Sequence, residues 1–324
     1  MKRLNRVIAA VAVMGLAILS ARLGRERLAE QLAAVSSLLP LLAALGIART
    51  ILQTLAWSKA LRAEGIDARF FELLVARVCS RSVGYLSVFG PIVAEPLRIS
   101  MLRHHSETAT AATLIDTGVY WFSSGIFGIL GSFYALRFLG RPQSGALVVL
   151  AAITFAGLLL IARPKPVLPT LVRLLGRRCP QSFTRAVVVE AAIRAFQARH
   201  PRSIRSILAL GLACQALIAA EAVAVLACLQ IPFSVGTILA IEAASRIVKF
   251  MGGLVPARIG TDESGMAAAF MAFGLPISSG LALALARRMR DLIEAGLGIA
   301  WFSWISRRPQ RRCPTLPGTR LASA

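Results

Sequence analysis

Arg246-Ile-Val-Lys-Phe-Met-Gly-Gly-Leu-Val-Pro-Ala-Arg-Ile-Gly-Thr-Asp-Glu-Ser-Gly265 is followed by an apolar run and then by Ala286-Arg-Arg-Met-Arg-Asp-Leu-Ile-Glu-Ala-Gly296. These two segments put charge into sequence that is otherwise lipid-like. Arg246, Lys249, Arg258, Asp262 and Glu263 surround Gly252, Gly253, Pro256 and Gly260. Arg287, Arg288, Arg290 and Asp291 interrupt a helix that reads apolar from Leu281 to Ile305. A charged side chain at mid-bilayer costs roughly 2.5–3.5 kcal/mol on insertion scales, so such residues are expected to face protein or water. The Gly/Pro stretch is no lipid-facing helix, and irregular backbone at membrane depth is tolerated only where it lines a cavity. A soluble loop between two spans is the plainer alternative. The spacing of the charges and a second copy of the pattern favour the cavity.

Composition sets the class. The chain has 324 residues, 56% of them hydrophobic and 16% charged, with mean hydropathy +0.69. Several apolar runs reach the ~20 residues of a spanning helix. A net charge of +22 would suggest nucleic acid in a soluble chain. Here the excess flanks the apolar runs, so positive-inside topology and anionic headgroups account for it and no nucleic-acid partner is expected. Cys79, Cys179, Cys214, Cys228 and Cys313 form no C-x-x-C, and His104-His105 reads as an interfacial turn, so neither metal nor cofactor is expected.

The expected fold is all-α, a polytopic membrane bundle. Met1 to Arg6 and the apolar run Val7–Leu19 predict an uncleaved first span, and residues 25–36 an interfacial amphipathic helix. Further spans are expected at Leu38–Leu61, Leu114–Leu136, Ala146–Ala162, Ile207–Leu229 and Gly280–Ile305. Gly125, Gly128 and Gly131 offer a strip for close helix packing. Residues 163–205 hold ten Lys/Arg against Glu190 and should be cytoplasmic. Parity then requires residues 71–97 and 235–276 each to enter and leave on one side; re-entrant hairpins on opposite faces do this, and two full helices in place of either would do so equally, though 71–97 is too short for two. Ser80-Arg81 precedes Pro91 by the interval at which Ser245-Arg246 precedes Pro256. This predicts an inverted-topology repeat with halves at about 38–140 and 205–306, within one transmembrane domain over 1–306. A disordered basic and polar tail over 307–324 is expected to follow, with both termini cytoplasmic in a cell (inner) membrane. Binding sites of such folds lie at the repeat interface, near the midplane.

The element Pro91 to Glu95 resembles the first signature of the flippase-like family, named for the transmembrane region of lysylphosphatidylglycerol synthases. Pro256 to Glu263 is similar to its second signature, and Ala286 to Leu292 to its late Arg-x-x-Asp helix. The likeness covers roughly residues 40–305. The chain departs from the pattern at Ala94, where Gly is common, and at Thr117 and Tyr120, where the first repeat often has Arg and Asp. The resemblance implies a protein that moves or handles lipid headgroups, and its short members occur in hopanoid and glycolipid pathways. No soluble aminoacyl-transferase domain is expected.

Two classes of function follow. In a lipid translocase, Arg81, Arg246, Lys249, Arg287, Arg288 and Arg290 would bind an anionic or polar headgroup, because the guanidinium fork makes bidentate contacts and stays charged. Glu95, Asp116, Asp262, Glu263 and Asp291 would hold those arginines. Asp262 and Glu263 are expected near Arg246 or Arg287. Arg287, Arg290 and Asp291 share a helix face, on which Asp291 is expected to orient one arginine and leave another free for the headgroup; simple pairing of Arg287 with Asp291 is the structural alternative. Glu64, in a loop, is expected to be dispensable. The alternative is a membrane enzyme or accessory protein of a lipid, hopanoid or glycolipid pathway. The sequence carries no metal-ligand spacing, nucleophile motif or nucleotide loop, so no catalytic residue is assigned.

Overall fold

The computed structural model describes residues 33, 35–87, 90–102, 107–135, 191, 194–252, 258 and 260–307. The expected first span, the span at 146–162, most of the basic segment and the tail lie outside these residues. What is described is all-α, with no strand.

Eight helices carry the described fold. They are α1 (Leu39–Ala63), α2 (Phe70–Leu86), α3 (Gly90–Ser100), α4 (Glu107–Ala135), α5 (Pro201–Cys228), α6 (Val235–Met251), α7 (Thr261–Ala272) and α8 (Ile277–Arg307). Pro40 and Pro201 stand in the first turns of α1 and α5, where a missing N–H costs nothing. α1 ends in a Schellman turn: Ile66 N–H donates to Leu61 O and Gly65 N–H to Arg62 O, both at 3.0 Å. α5 ends the same way, with Ile231 bonded to Leu226 and Gln230 to Ala227 at 3.0 and 3.1 Å. Gly65 and Gln230 hold the left-handed position of the two turns, at φ 73° and 54°. Only α1 and α5, among the described residues, are long and apolar enough by composition to cross a membrane.

α2 packs on α3 and α6 on α7, so the two segments read as hairpins are helical hairpins. Both α2 and α6 have 17 residues. Equivalent elements then exchange partners. α4 lies along α6, α8 lies along α2, and α1 lies along α5. α1 and α5 run antiparallel: Lys59 Nζ reaches Ser206 Oγ at one end, while Leu42 shares a core with Val225 and Leu226 at the other.

Two apolar cores result. One joins Leu42 with Leu226, Ile241, Phe270 and Leu283. The other surrounds Trp57 with Leu61, Leu73, Ile115, Phe196 and Ile207. Along α1 and α5 the charged residues described next occupy the registers between these cores.

The glycine strip has one tight point. A Cβ on Gly131 would sit 2.0 Å from the Leu239 carbonyl oxygen of α6, whereas one on Gly128 would meet only Arg246 Cδ at 3.6 Å. On α8, Gly298 does for α2 what Gly131 does for α6: its Cβ would fall 2.0 Å from Ser82 Oγ.

Candidate functional site

A web of arginines and carboxylates occupies the seam between α4, α5, α6 and α8. Arg287 donates to Glu242 Oε1 at 2.5 Å and to the Ile218 carbonyl at 3.1 Å, and lies 3.5 Å from Glu221. Arg290 pairs with Glu221 and, at 2.8 Å, with Asp291. Arg246 donates to Ser124 Oγ at 2.9 Å, Gln215 Oε1 at 2.7 Å and the Glu242 carbonyl at 2.6 Å. Its guanidinium is also 3.6 Å from the Glu242 carboxylate. Glu221 and Glu242 are buried. A buried carboxylate in a poorly polar interior persists because several cations surround it.

A second cluster encloses Trp57. Asp116 accepts from Arg77 at 2.6 Å and lies 3.3 Å from Arg98, which also pairs with Glu95 at 3.0 Å. Both guanidinium groups stand over the Trp57 ring, at 5.5 and 4.7 Å from its centroid, a favourable cation–π arrangement. The indole N–H donates to Thr113 Oγ1 at 3.0 Å. A small cavity beside Asp116 and Arg77 is lined further by Gln53, Tyr120, Gly211 and Cys214.

The remaining predicted residues form separate pairs. Glu263 is fully buried. It accepts the Gly260 N–H at 2.9 Å, the carboxylate half of a capping box, since Gly260 has no side chain to return the bond, and it pairs with Arg288. Asp262 pairs with Arg258 at 3.5 Å, and Arg258 stands over the Tyr85 ring. No acid among the described residues comes within 4.0 Å of Lys249.

Three expectations are corrected. Asp262 and Glu263 do not reach Arg246 or Arg287, because the first turn of α7 faces α8 at Arg288. Arg287 does not pair with Asp291 one turn on, since Glu221 and Glu242 lie directly across the helix interface. Glu64 is no idle loop residue: its side chain is only 6% exposed, 3.6 Å from Arg199 and 3.9 Å from His200.

Arg49, Arg77, Arg98, Glu221, Glu242 and Glu294 belong to these clusters but were not assigned from sequence. Glu221 and Glu242 had a signal, each being the single acid of its helix.

Arg81 completes the arrangement. It bonds Thr50 Oγ1 of α1 at 3.3 Å and lies 3.6 Å from Glu294 of α8. Arg81 and Arg246 stand 165 residues apart, as do Thr50 and Gln215, Gly46 and Gly211, and Gly65 and Gln230. Arg81 therefore reaches from α2 to α1 and α8 as Arg246 reaches from α6 to α5 and α4. Arg77–Asp116 joins α2 to α4, and Glu242–Arg287 joins α6 to α8 with the signs exchanged. Such a web can hold an anion by letting it replace a carboxylate on a guanidinium fork.

A scan against protein-family models returned no match, and no curated protein or solved structure is significantly similar to the chain.

Proposed function

We propose that this chain is an integral membrane protein that binds the anionic or polar headgroup of a lipid at the seam between two related halves and carries it across the bilayer. On this reading the halves are inverted-topology repeats, α2–α3 and α6–α7 are re-entrant hairpins on opposite faces, and both termini are cytoplasmic in a cell membrane. The resemblance to the flippase-like family points the same way.

The observation that carries the proposal is the pair of corresponding contacts made by Arg81 and Arg246. Equivalent helices α1 and α5 run antiparallel, which a two-fold axis lying in the membrane plane would produce. The charges gather where that axis would pass. Charge placed at the middle of apolar helices is costly unless it acts on something or is fully paired, and not all of these arginines are fully paired.

The test is reconstitution of the purified chain into liposomes holding a trace of acyl-labelled fluorescent phosphatidylglycerol. A membrane-impermeant reductant then bleaches the label. Protein-free vesicles lose the outer-leaflet half of the signal, and vesicles with the protein should lose nearly all of it. Bleaching that stops at the outer leaflet overturns the translocase reading. A new lipid species on mass spectrometry would mark an enzyme instead.

A further inference from the structure

Arg81 and Arg246 hold corresponding positions but not corresponding surroundings. Arg246 makes three hydrogen bonds and its side chain is 17% exposed. Arg81 makes one long bond, and its side chain is 38% exposed. Beside it, Arg49 is 7% exposed, and its Nε and Nη2 donate no hydrogen bond. One carboxylate serves both: Glu294 lies 3.6 Å from Arg81, 3.7 Å from Arg49 and 3.9 Å from Arg290. Arg290 is already held by Glu221 and Asp291. Glu294 thus hangs among three guanidinium groups and accepts a hydrogen bond from none of them.

Its place is built. Gly46 lets α1 come down on α8 there, since a Cβ would lie 2.7 Å from Glu294 Oε1 and 2.8 Å from Arg290 Cδ. Glu294 itself is 28% exposed. Ile47 on α1 and Ile293 and Leu297 on α8 are exposed at 60, 56 and 64% in the flanking turns. A charged recess with apolar margins suits an amphiphile with an anionic head.

We infer that Glu294 is a tethered counter-anion that keeps Arg49 and Arg81 neutralised until the phosphodiester of an anionic lipid displaces it. This deepens the lipid-binding reading and rests on it. The exchange conserves charge: one carboxylate leaves the arginines and one phosphodiester takes its place. The gain is geometric, because two non-bridging phosphate oxygens offer the fork contacts that Glu294, at 3.6–3.9 Å, does not make. Arg246 itself has no such opening, so the two corresponding arginines are chemically unequal despite their common plan.

The experiment is titration of the full chain in neutral detergent with short-chain phosphatidylglycerol, read by calorimetry. Phosphatidylcholine and inorganic phosphate are separate arms, and thermal unfolding is recorded for every variant. Glu294→Gln should bind phosphatidylglycerol about tenfold more tightly than the parent, the competitor having lost its charge. Arg81→Lys should bind it about tenfold more weakly at unchanged melting temperature, the planar fork having become a point charge. If the parent does not prefer phosphatidylglycerol to phosphatidylcholine, the lipid-binding reading itself fails. If it does, but Glu294→Gln binds no more tightly, Glu294 is not a competitor and this inference is wrong. Should Glu294→Gln fail to fold, Arg81→Lys decides, and binding equal to the parent overturns the site. Inorganic phosphate that binds as tightly as the lipid overturns the lipid as the source of the anion.

Discussion

Arg81 and Arg246 occupy the same register on α2 and α6, yet one is loosely held and the other is locked between Ser124, Gln215 and Glu242. Stability should divide them. Arg246→Ala leaves the buried Gln215 and the half-buried Ser124 without their donor and should cost roughly 3 kcal/mol. Arg81→Ala loses a long bond and a half-solvated pair and should cost less than about 1 kcal/mol. Thermal unfolding of the two variants in one detergent measures the difference, and equal losses would show that Arg81 is as structural as Arg246.

Glycine replacements separate packing from propensity. Gly131→Ala and Gly298→Ala drive a methyl into Leu239 O and Ser82 Oγ, so each should cost about 1–3 kcal/mol or more and separate α4 from α6, or α8 from α2. Gly118→Ala meets nothing within 4 Å and should stabilise α4 by up to about 1 kcal/mol. Melting temperatures of the three variants, which should fall, fall and rise, are the check.

The Schellman turns give a sign test. Gln230 is exposed and sits at φ 54° with a side chain that disfavours that conformation. Gln230→Gly should raise stability by about 1 kcal/mol, and Gly65→Gln should lower it by a similar amount. A loss on Gln230→Gly would mean that the side chain contributes more than its strain.

Glu263 joins α7 to α8 through the Gly260 N–H and Arg288. Glu263→Gln weakens both bonds and leaves Arg288 without its counter-charge, so unfolding should move down by about 2–3 kcal/mol. Exposed Glu107, at the start of α4, is the comparison, and Glu107→Gln should stay within about 1 kcal/mol of the parent. Glu64→Gln should fall between them, because Arg199 and His200 gather around its buried carboxylate.

Topology is open to direct labelling. On the proposed topology residues 163–205 and both termini are cytoplasmic and the 230–234 turn is external. A cysteine introduced near Arg178 in a chain lacking its native cysteines should resist an impermeant maleimide on intact cells, and one at Ser234 should react. The reverse pattern would reject the assigned orientation.

The sequence carried the helices well, because hydropathy and Gly/Pro punctuation report directly on where apolar helices begin and stop. It also carried the 165-residue interval: Ser80-Arg81 and Ser245-Arg246 were visible as a pair, and α2 and α6 begin at that spacing, at Phe70 and Val235. The partners within the site were not legible. Helical spacing puts Asp291 within reach of Arg287, but the carboxylates that hold Arg287 are Glu221 and Glu242, brought from two other helices by tertiary packing. Arg49 and Glu294 escaped for the same reason. Arg49 looks like an isolated charge on α1 and Glu294 like a helical partner of Arg290 alone, and their relation exists only where Gly46 lets α1 close on α8.

The exchange of partners between the halves also sets an order of events during synthesis. α2 takes its main neighbour, α8, from the far end of the described chain, about 190 residues after Leu86. At ~5–20 residues per second the wait is roughly 10–40 s. Throughout it Arg81 has no Glu294, and the face of α2 around Ser82 has no Gly298 against it. α4 waits likewise, for a shorter time, for α6. Helices α1 to α4 thus emerge with Arg77 and Arg98 already paired to Asp116 but with Arg49 and Arg81 bare, and α8, the last of the described helices, is the one that neutralises them.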